Sequence, residues 1–93
     1  MSTEEPLTPE ELDAIEDRCR RVSPGPWTSW IEGRDHTAGS NFIMTGPPER
    51  RGNDIELSAG VPDDDQDFIA HARQDVPRLL AEVRRLKVLL GKG

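Results

Sequence analysis

The sequence predicts an α+β fold: an N-terminal helix, a three-stranded antiparallel meander, and two C-terminal helices packed on one sheet face. Three observations carry this prediction. A helix-start signal stands at residues 8–11, residues 54–59 alternate between polar and apolar side chains, and residues 63–90 hold most of the large aliphatic side chains at helical spacing. Periods of two and of 3.6 residues distinguish strands from helices.

The first helix is predicted to follow Thr8. Threonine as N-cap, Pro9 at the first helical position and Glu11 at the third form a capping-box signature. Four apolar residues then share one helical face: Leu12, Ile15, Cys19 and Val22. The Ser23–Pro26 run ends the helix, because each proline removes a backbone donor and restricts the residue before it.

Three strands are expected at Trp27–Glu32, Asn41–Thr45 and Asp54–Ala59. The third alternates apolar and polar residues, so one face of the sheet should be wet. By the same alternation Trp30 falls on the wet face, and the short connections favour antiparallel neighbours.

The C-terminal region is interpreted as two helices that meet at an Asp75–Pro77 corner. Asp63 and Gln66 resemble an N-cap with its reciprocal partner, and the first helix is expected to bury Phe68, Ile69, Ala72 and Val76. The second, Arg78–Leu90, carries an apolar stripe predicted to lie on Ile55 and Leu57, consisting of Leu79, Val83, Leu86 and Leu90. The stripe is wide enough that one side could remain exposed and form a homodimer.

Length and composition indicate one domain over residues 8–93, preceded by a flexible tail over residues 1–7. The single cysteine has no internal disulfide partner, and no stretch resembles a signal peptide or a membrane span, so a cytoplasmic location is expected. The net charge is −6. An acidic chain without a concentrated basic face disfavours nucleic acid as a partner.

No residue set predicts a metal, a cofactor or a reaction. Asp63, Asp65 and Asp67 match the opening of a calcium loop, but the positions of its glycine and closing glutamate hold Phe68 and Gln74. The two histidines and the cysteine lack ligand spacing. We therefore expect a protein that is not an enzyme.

The loop over residues 34–41 is the one polar cluster that could carry chemistry. A catalytic version would use His36 as general base, with Asp35 orienting it and Thr37 or Ser40 near the substrate. The alternative is a loop whose side chains hydrogen-bond its own backbone. An exposed tryptophan is a favoured interface anchor. The expected partner-binding residues are Trp30, Arg34, Asp35, His36, Asn41, Asp54 and Glu56.

Two motifs carry a resemblance: Ser23-Pro24-Gly25-Pro26-Trp27, and the run from Asp65 to Leu80, DQDFIAHARQDVPRLL. The chain resembles a group of small bacterial and phage proteins with a PGPW turn near the start and a D-x-D-F-I-A-x-A-R-x-D-x-P-x-L-L helix pair at the end. The resemblance implies this fold and a bacterial, mobile-element or defence setting, and it transfers no active site.

Two functions remain open. The first is an immunity protein, an inhibitor that neutralises a cognate toxin encoded by a neighbouring gene; a small acidic domain suits capture of a basic toxin. The second is a prophage accessory protein that acts as a homo-oligomer through its C-terminal helix.

Overall fold

The computed structural model describes residues 6–91 and contains a three-stranded antiparallel sheet and two helices. The helices are α1 (Pro9–Arg21) and α2 (Asp63–Leu89), the strands are β1 (Trp27–Trp30), β2 (Asn41–Thr45) and β3 (Ile55–Leu57), and a 3-10 turn covers Pro48–Arg50. The strand order is β1-β2-β3. The α+β class and the antiparallel meander are confirmed.

These residues form two compact units. One comprises the residues up to Val22 together with those from Pro77 onward, and the other comprises Ser23–Val76. The expectation of one domain with a flexible tail stays a prediction, and residues 1–5 of that tail lie outside the part of the chain described.

The start of α1 is the capping box that the sequence predicts. The Thr8 hydroxyl accepts a hydrogen bond from the Glu11 backbone N–H at 3.1 Å, and the Glu11 carboxylate accepts one from the Thr8 N–H at 2.8 Å. In the same unit Leu12 and Leu80 are buried, and Arg84 of α2 pairs with Asp13 at 3.1 Å and Glu16 at 2.9 Å. The two helix segments of this unit are thus joined by a small ion-pair network.

The predicted corner at Asp75–Pro77 is wrong. The chain continues as one helix from Asp63 to Leu89, with Pro77 inside it. A proline in a helix interior loses one hydrogen bond and costs about 3 kcal/mol. The helix continues because side-chain contacts hold it on both sides of the proline, through Gln66 and Gln74 before it and through Leu80 and Arg84 after it.

The predicted buried stripe of α2 is also wrong. Phe68 is 75 % exposed, and Ile69 and Val76 are exposed as well. Gln66 and Ala70, one turn apart, are buried instead. Alanine is small enough to let a helix approach a sheet closely, and the Gln66 amide donates to the carbonyls of Trp30 at 3.2 Å and Phe42 at 3.0 Å. Main-chain hydrogen bonding, rather than hydrophobicity alone, therefore sets which face of α2 is covered.

The apolar stripe of the second predicted helix is largely exposed too. Leu79 is 64 % exposed and Leu86 is 45 % exposed, so the predicted burial of these side chains is wrong. The buried apolar residues of the sheet-containing unit are Ile31, Ile43, Met44 and Ala70, and Thr45 and Gln66 are buried with them.

Candidate protein-binding site

One face of the sheet carries a row of two aromatic rings and a carboxylate. Trp30 is the cross-strand partner of Phe42, and Phe42 is the partner of Glu56 on β3. Directly opposed residues of antiparallel strands project from the same face. The rings of Trp30 and Phe42 are stacked, with centroids 6.4 Å apart and an interplanar angle of 16°. Both are half-buried, whereas Glu56 is exposed.

His36 completes the aromatic cluster. Its ring meets Phe42 edge-on at 5.2 Å and Trp30 edge-on at 6.1 Å. Its Nδ1 accepts a hydrogen bond from the Ala38 N–H at 3.3 Å, and its backbone carbonyl accepts one from the Gly33 N–H at 2.8 Å. The His36 side chain thus packs the β1–β2 loop against the aromatic rings on this face of the sheet.

Arg51 links Asp54 to this face. The guanidinium lies 5.6 Å from the centroid of the Phe42 ring, within range of a cation–π contact. The same group pairs with Asp54 at 2.6 Å. The carboxylate of Asp54 therefore already has an ion-pair partner within the chain. Six residues together form what is called the aromatic face below: Trp30, His36, Phe42, Arg51, Asp54 and Glu56.

Arg34 and Asp35 form hydrogen bonds and ion pairs within the chain. The Asp35 carboxylate accepts from the Ile31 N–H at 2.9 Å and pairs with Arg34 at 2.8 Å, so it does not orient His36. Arg34 also forks onto Asp67 of α2, at 2.8 and 3.0 Å. The two carboxylates hold the pKa of Arg34 above its usual range, and the guanidinium lowers the pKa of Asp67 to about 2 and also lowers that of Asp35.

The Asn41 side chain also hydrogen-bonds the backbone of the loop. Its side-chain oxygen accepts from the Glu32 N–H at 2.7 Å. Alternation along β2 places it on the opposite face from Phe42. It lines a shallow groove of about 420 Å³ together with Ile31, Glu32, Gly39, Ser40, Leu57, Ala59 and Asp63.

The structure thus brings together four of the seven expected binding residues, namely Trp30, His36, Asp54 and Glu56. Arg34, Asp35 and Asn41 lie in the hydrogen-bond network of the loop. Sequence reasoning missed Phe42 and Arg51. Phe42 has the alternation that would mark it as a face residue, but identifying its partner requires the register of the hairpin, which a ten-residue connection from Trp30 to Asn41 leaves open.

The part of the chain that the structure describes contains no group of three His, Cys, Asp or Glu side chains able to hold a metal ion. Within the same residues, neither helix has an apolar stretch long enough to cross a bilayer. Comparisons with protein-family models, curated proteins and solved structures find no significant match. The resemblance to small bacterial and phage proteins stays a prediction.

Proposed function

We propose that this protein is a non-enzymatic binding protein, and specifically an immunity protein that neutralises a cognate bacterial toxin encoded by a neighbouring gene. The observation that carries the proposal is the row formed by Trp30, Phe42 and Glu56. A half-buried aromatic anchor beside an exposed carboxylate has the composition of a binding hot spot with a charged rim.

Electrostatics supports a basic partner. The chain carries a net charge of −6, so a basic protein is attracted from a distance. Locally, Arg51 compensates Asp54, whereas Glu56 has no ion pair among residues 6–91. Glu56 is therefore the carboxylate of the aromatic face that a lysine or arginine of a toxin would contact. Rim charges act mainly on the association rate, so binding should weaken as salt rises.

The β1–β2 loop contributes through its rigidity. Arg34, Asp35 and Asn41 hold its backbone and tie it to α2. His36 is carried on this loop and contacts both aromatic rings. In this proposal the three polar residues are positioning residues, and the contact surface is the aromatic face.

The first test is co-expression with the product of the adjacent open reading frame, followed by co-purification and calorimetry. We expect a one-to-one complex and protection of the cell from that product's toxicity. Trp30→Ala should weaken the complex by about 2 kcal/mol or more, roughly 30-fold. Trp30→Phe, which keeps a ring, should retain most of the affinity.

Phe68→Ala is the matched control for Trp30→Ala, because Phe68 is also an exposed aromatic residue but lies on α2. It should leave toxin binding unchanged, and circular dichroism should show that both alanine variants remain folded. Absence of any complex together with no protection from toxicity would overturn the proposal.

The role of charge is tested by comparing Glu56→Lys with Glu49→Lys. Both change the net charge equally, and Glu49 lies on the exposed 3-10 turn. Only Glu56→Lys should reduce affinity at low salt beyond the effect of net charge, by about tenfold. Equal effects of the two variants would place the contact elsewhere on the surface.

A second candidate function is a prophage accessory protein that self-associates through its C-terminal helix. The observation that favours it is the exposure of large apolar side chains in the C-terminal part of α2. Monomeric proteins rarely leave extended apolar patches uncovered.

A further inference from the structure

The C-terminal part of α2 carries an uncovered row of apolar side chains. Leu79, Val83, Leu86 and Leu90, at spacings of four, three and four residues, are called the seam below. Leu90 follows the last residue of α2, and its N–H still donates to the Leu86 carbonyl at 3.0 Å. Leu79, Leu86 and Leu90 are 64, 45 and 73 % exposed, and Val83 is half-buried.

α1 covers a different side of the same helix segment. Leu80 is buried, and Arg84 pairs with Asp13 and Glu16 of α1. Leu80 and Arg84 are four residues apart and form a separate row from the seam. Within this unit Leu12 and Leu80 are the buried apolar side chains among the described residues. Because this pair of helix segments buries so few apolar side chains, burying a second face of α2 against another chain would increase its stability.

The seam has the pattern of a self-complementary heptad. Val83 and Leu90 occupy the a positions, and Leu79 and Leu86 occupy the d positions. In the sequence the same a register continues back to Val76 and Ile69. Val83, the a residue between the d residues Leu79 and Leu86, is β-branched, and a β-branched residue at a with leucine at d favours a parallel two-stranded arrangement over trimers and tetramers.

Charges beside the seam favour the same arrangement. In this register Glu82 is at g and Lys87 is at e. In a parallel pair the g residue of one chain lies next to the e residue of the following heptad of the other, so each Glu82 faces a Lys87. The Lys87 ammonium contacts the Leu7 carbonyl at 3.5 Å and has further protons to donate. Glu82 pairs with Arg85 of its own helix, and its carboxylate oxygens have further lone pairs that can accept a hydrogen bond from Lys87 of the other chain.

We propose that two copies of this chain associate in parallel through the seam, with Glu82 of each copy paired with Lys87 of the other. This proposal rests on the second candidate function, self-association, and is independent of toxin binding by the aromatic face.

The first experiment measures the mass of the full chain by light scattering and analytical ultracentrifugation. We expect a dimer, and Leu86→Asp should weaken dimerisation on the order of 100-fold. Val88→Asp is the matched control: it adds the same charge at an exposed apolar position of the same helix, but lies off the seam. Because Leu86 is already exposed in the single chain, circular dichroism should show that the variant stays folded. A monomeric wild type overturns both self-association and the parallel pair.

The second experiment tests orientation. In a Cys19→Ser background, Leu90→Cys places one thiol at an a position, which meets its own copy only in a parallel, in-register dimer. Mild oxidation should give a covalent dimer, and Val88→Cys in the same background should not. A dimer by mass in which only the Val88→Cys chain cross-links, or neither chain does, overturns the parallel arrangement while self-association stands.

The third experiment tests register by charge exchange. Glu82→Lys should weaken the dimer because it opposes Lys87 of the second copy, and Lys87→Glu should weaken it by the reverse repulsion. The double exchange should recover most of the wild-type affinity. Additive losses in the double variant would overturn the Glu82–Lys87 pairing.

Discussion

Gln74 holds the backbone of Trp27 through both of its side-chain polar groups. Its Oε1 accepts a hydrogen bond from the Trp27 N–H at 2.8 Å, and its Nε2 donates to the Trp27 carbonyl at 3.2 Å. The neighbouring Arg73 donates from Nε to the Ser23 carbonyl at 3.0 Å. The chain entering β1 is therefore attached to α2 by hydrogen bonds between polar side chains of the helix and the main chain of residues 23 and 27.

Replacing Gln74 by alanine should lower the free energy of unfolding by about 1–2 kcal/mol, because two hydrogen bonds to the Trp27 backbone are lost. Gln74→Glu keeps the acceptor but sets a carboxylate against the Trp27 carbonyl, so it should not restore stability. Urea unfolding of both variants measures the effect. A neutral Gln74→Ala would show that water replaces this contact without cost.

Gln66 should be more important for stability than Gln74, because it is fully buried. Gln66→Ala removes both donors to the Trp30 and Phe42 carbonyls and leaves a cavity. We expect a loss of about 2–4 kcal/mol in urea or thermal unfolding. Gln66→Glu has nearly the same shape, so it tests the hydrogen bonds separately from packing. The substitution should be strongly destabilising at neutral pH. Part of the lost stability should return at acidic pH, where the protonated carboxyl can donate a hydrogen bond. Equal stability of Gln66→Glu and wild type at pH 7 would contradict the assignment.

The parts of the fold that the sequence predicts are those fixed by local patterns. The Thr8–Glu11 capping box and the Asn41–Thr45 strand depend on neighbouring residues and occur as expected. Which face of α2 is turned toward the sheet depends on which side chains can hydrogen-bond the main chain of the strands. The large apolar side chains of Phe68 and Ile69 predicted that their side of the helix is buried. The side chains that donate to the carbonyls of Phe42 and Trp27 are instead those of Gln66 and Gln74.

The candidate site was predictable to the same extent. Strand alternation alone places Trp30 and Glu56 on the outer face of their strands, but the row that contains them is defined by the register through Phe42. In a catalytic version of the loop, Asp35 would orient the adjacent His36. It instead reaches back to the Ile31 N–H, because adjacent side chains point apart and the loop backbone needs an acceptor.

The Arg34–Asp67 pair should make stability depend on pH in the acidic range. The folded state lowers the pKa of Asp67 to about 2 from an ordinary value of 3.8. The pair's contribution is therefore fully present above pH 3.8 and is lost as the pH falls toward 2. The difference in unfolding free energy between wild type and Asp67→Asn should shrink over this interval.

Arg34→Met provides the control for this prediction. Without the guanidinium, which is the largest cause of the lowered Asp67 pKa, the Asp67→Asn substitution should change the pH dependence between pH 3.8 and 2 much less. Asp35 shares the same guanidinium and its pKa is also lowered, so some acid sensitivity should remain in Asp67→Asn alone. An unchanged Asp67→Asn effect in the Arg34→Met background would assign the pH dependence to another partner.

Pro77 lies in the interior of α2, where it supplies no N–H to the Arg73 carbonyl. Pro77→Ala should therefore stabilise the protein, by about 1–3 kcal/mol after the greater flexibility of the unfolded chain is allowed for. Urea unfolding and the helical signal at 222 nm measure the change. Pro9→Ala is the matched control: Pro9 is at the first position of α1, where proline is favourable, so its replacement should be neutral or mildly destabilising. If α2 were instead two helices meeting at Asp75–Pro77, both prolines would occupy first turns, and Pro77→Ala would behave like Pro9→Ala.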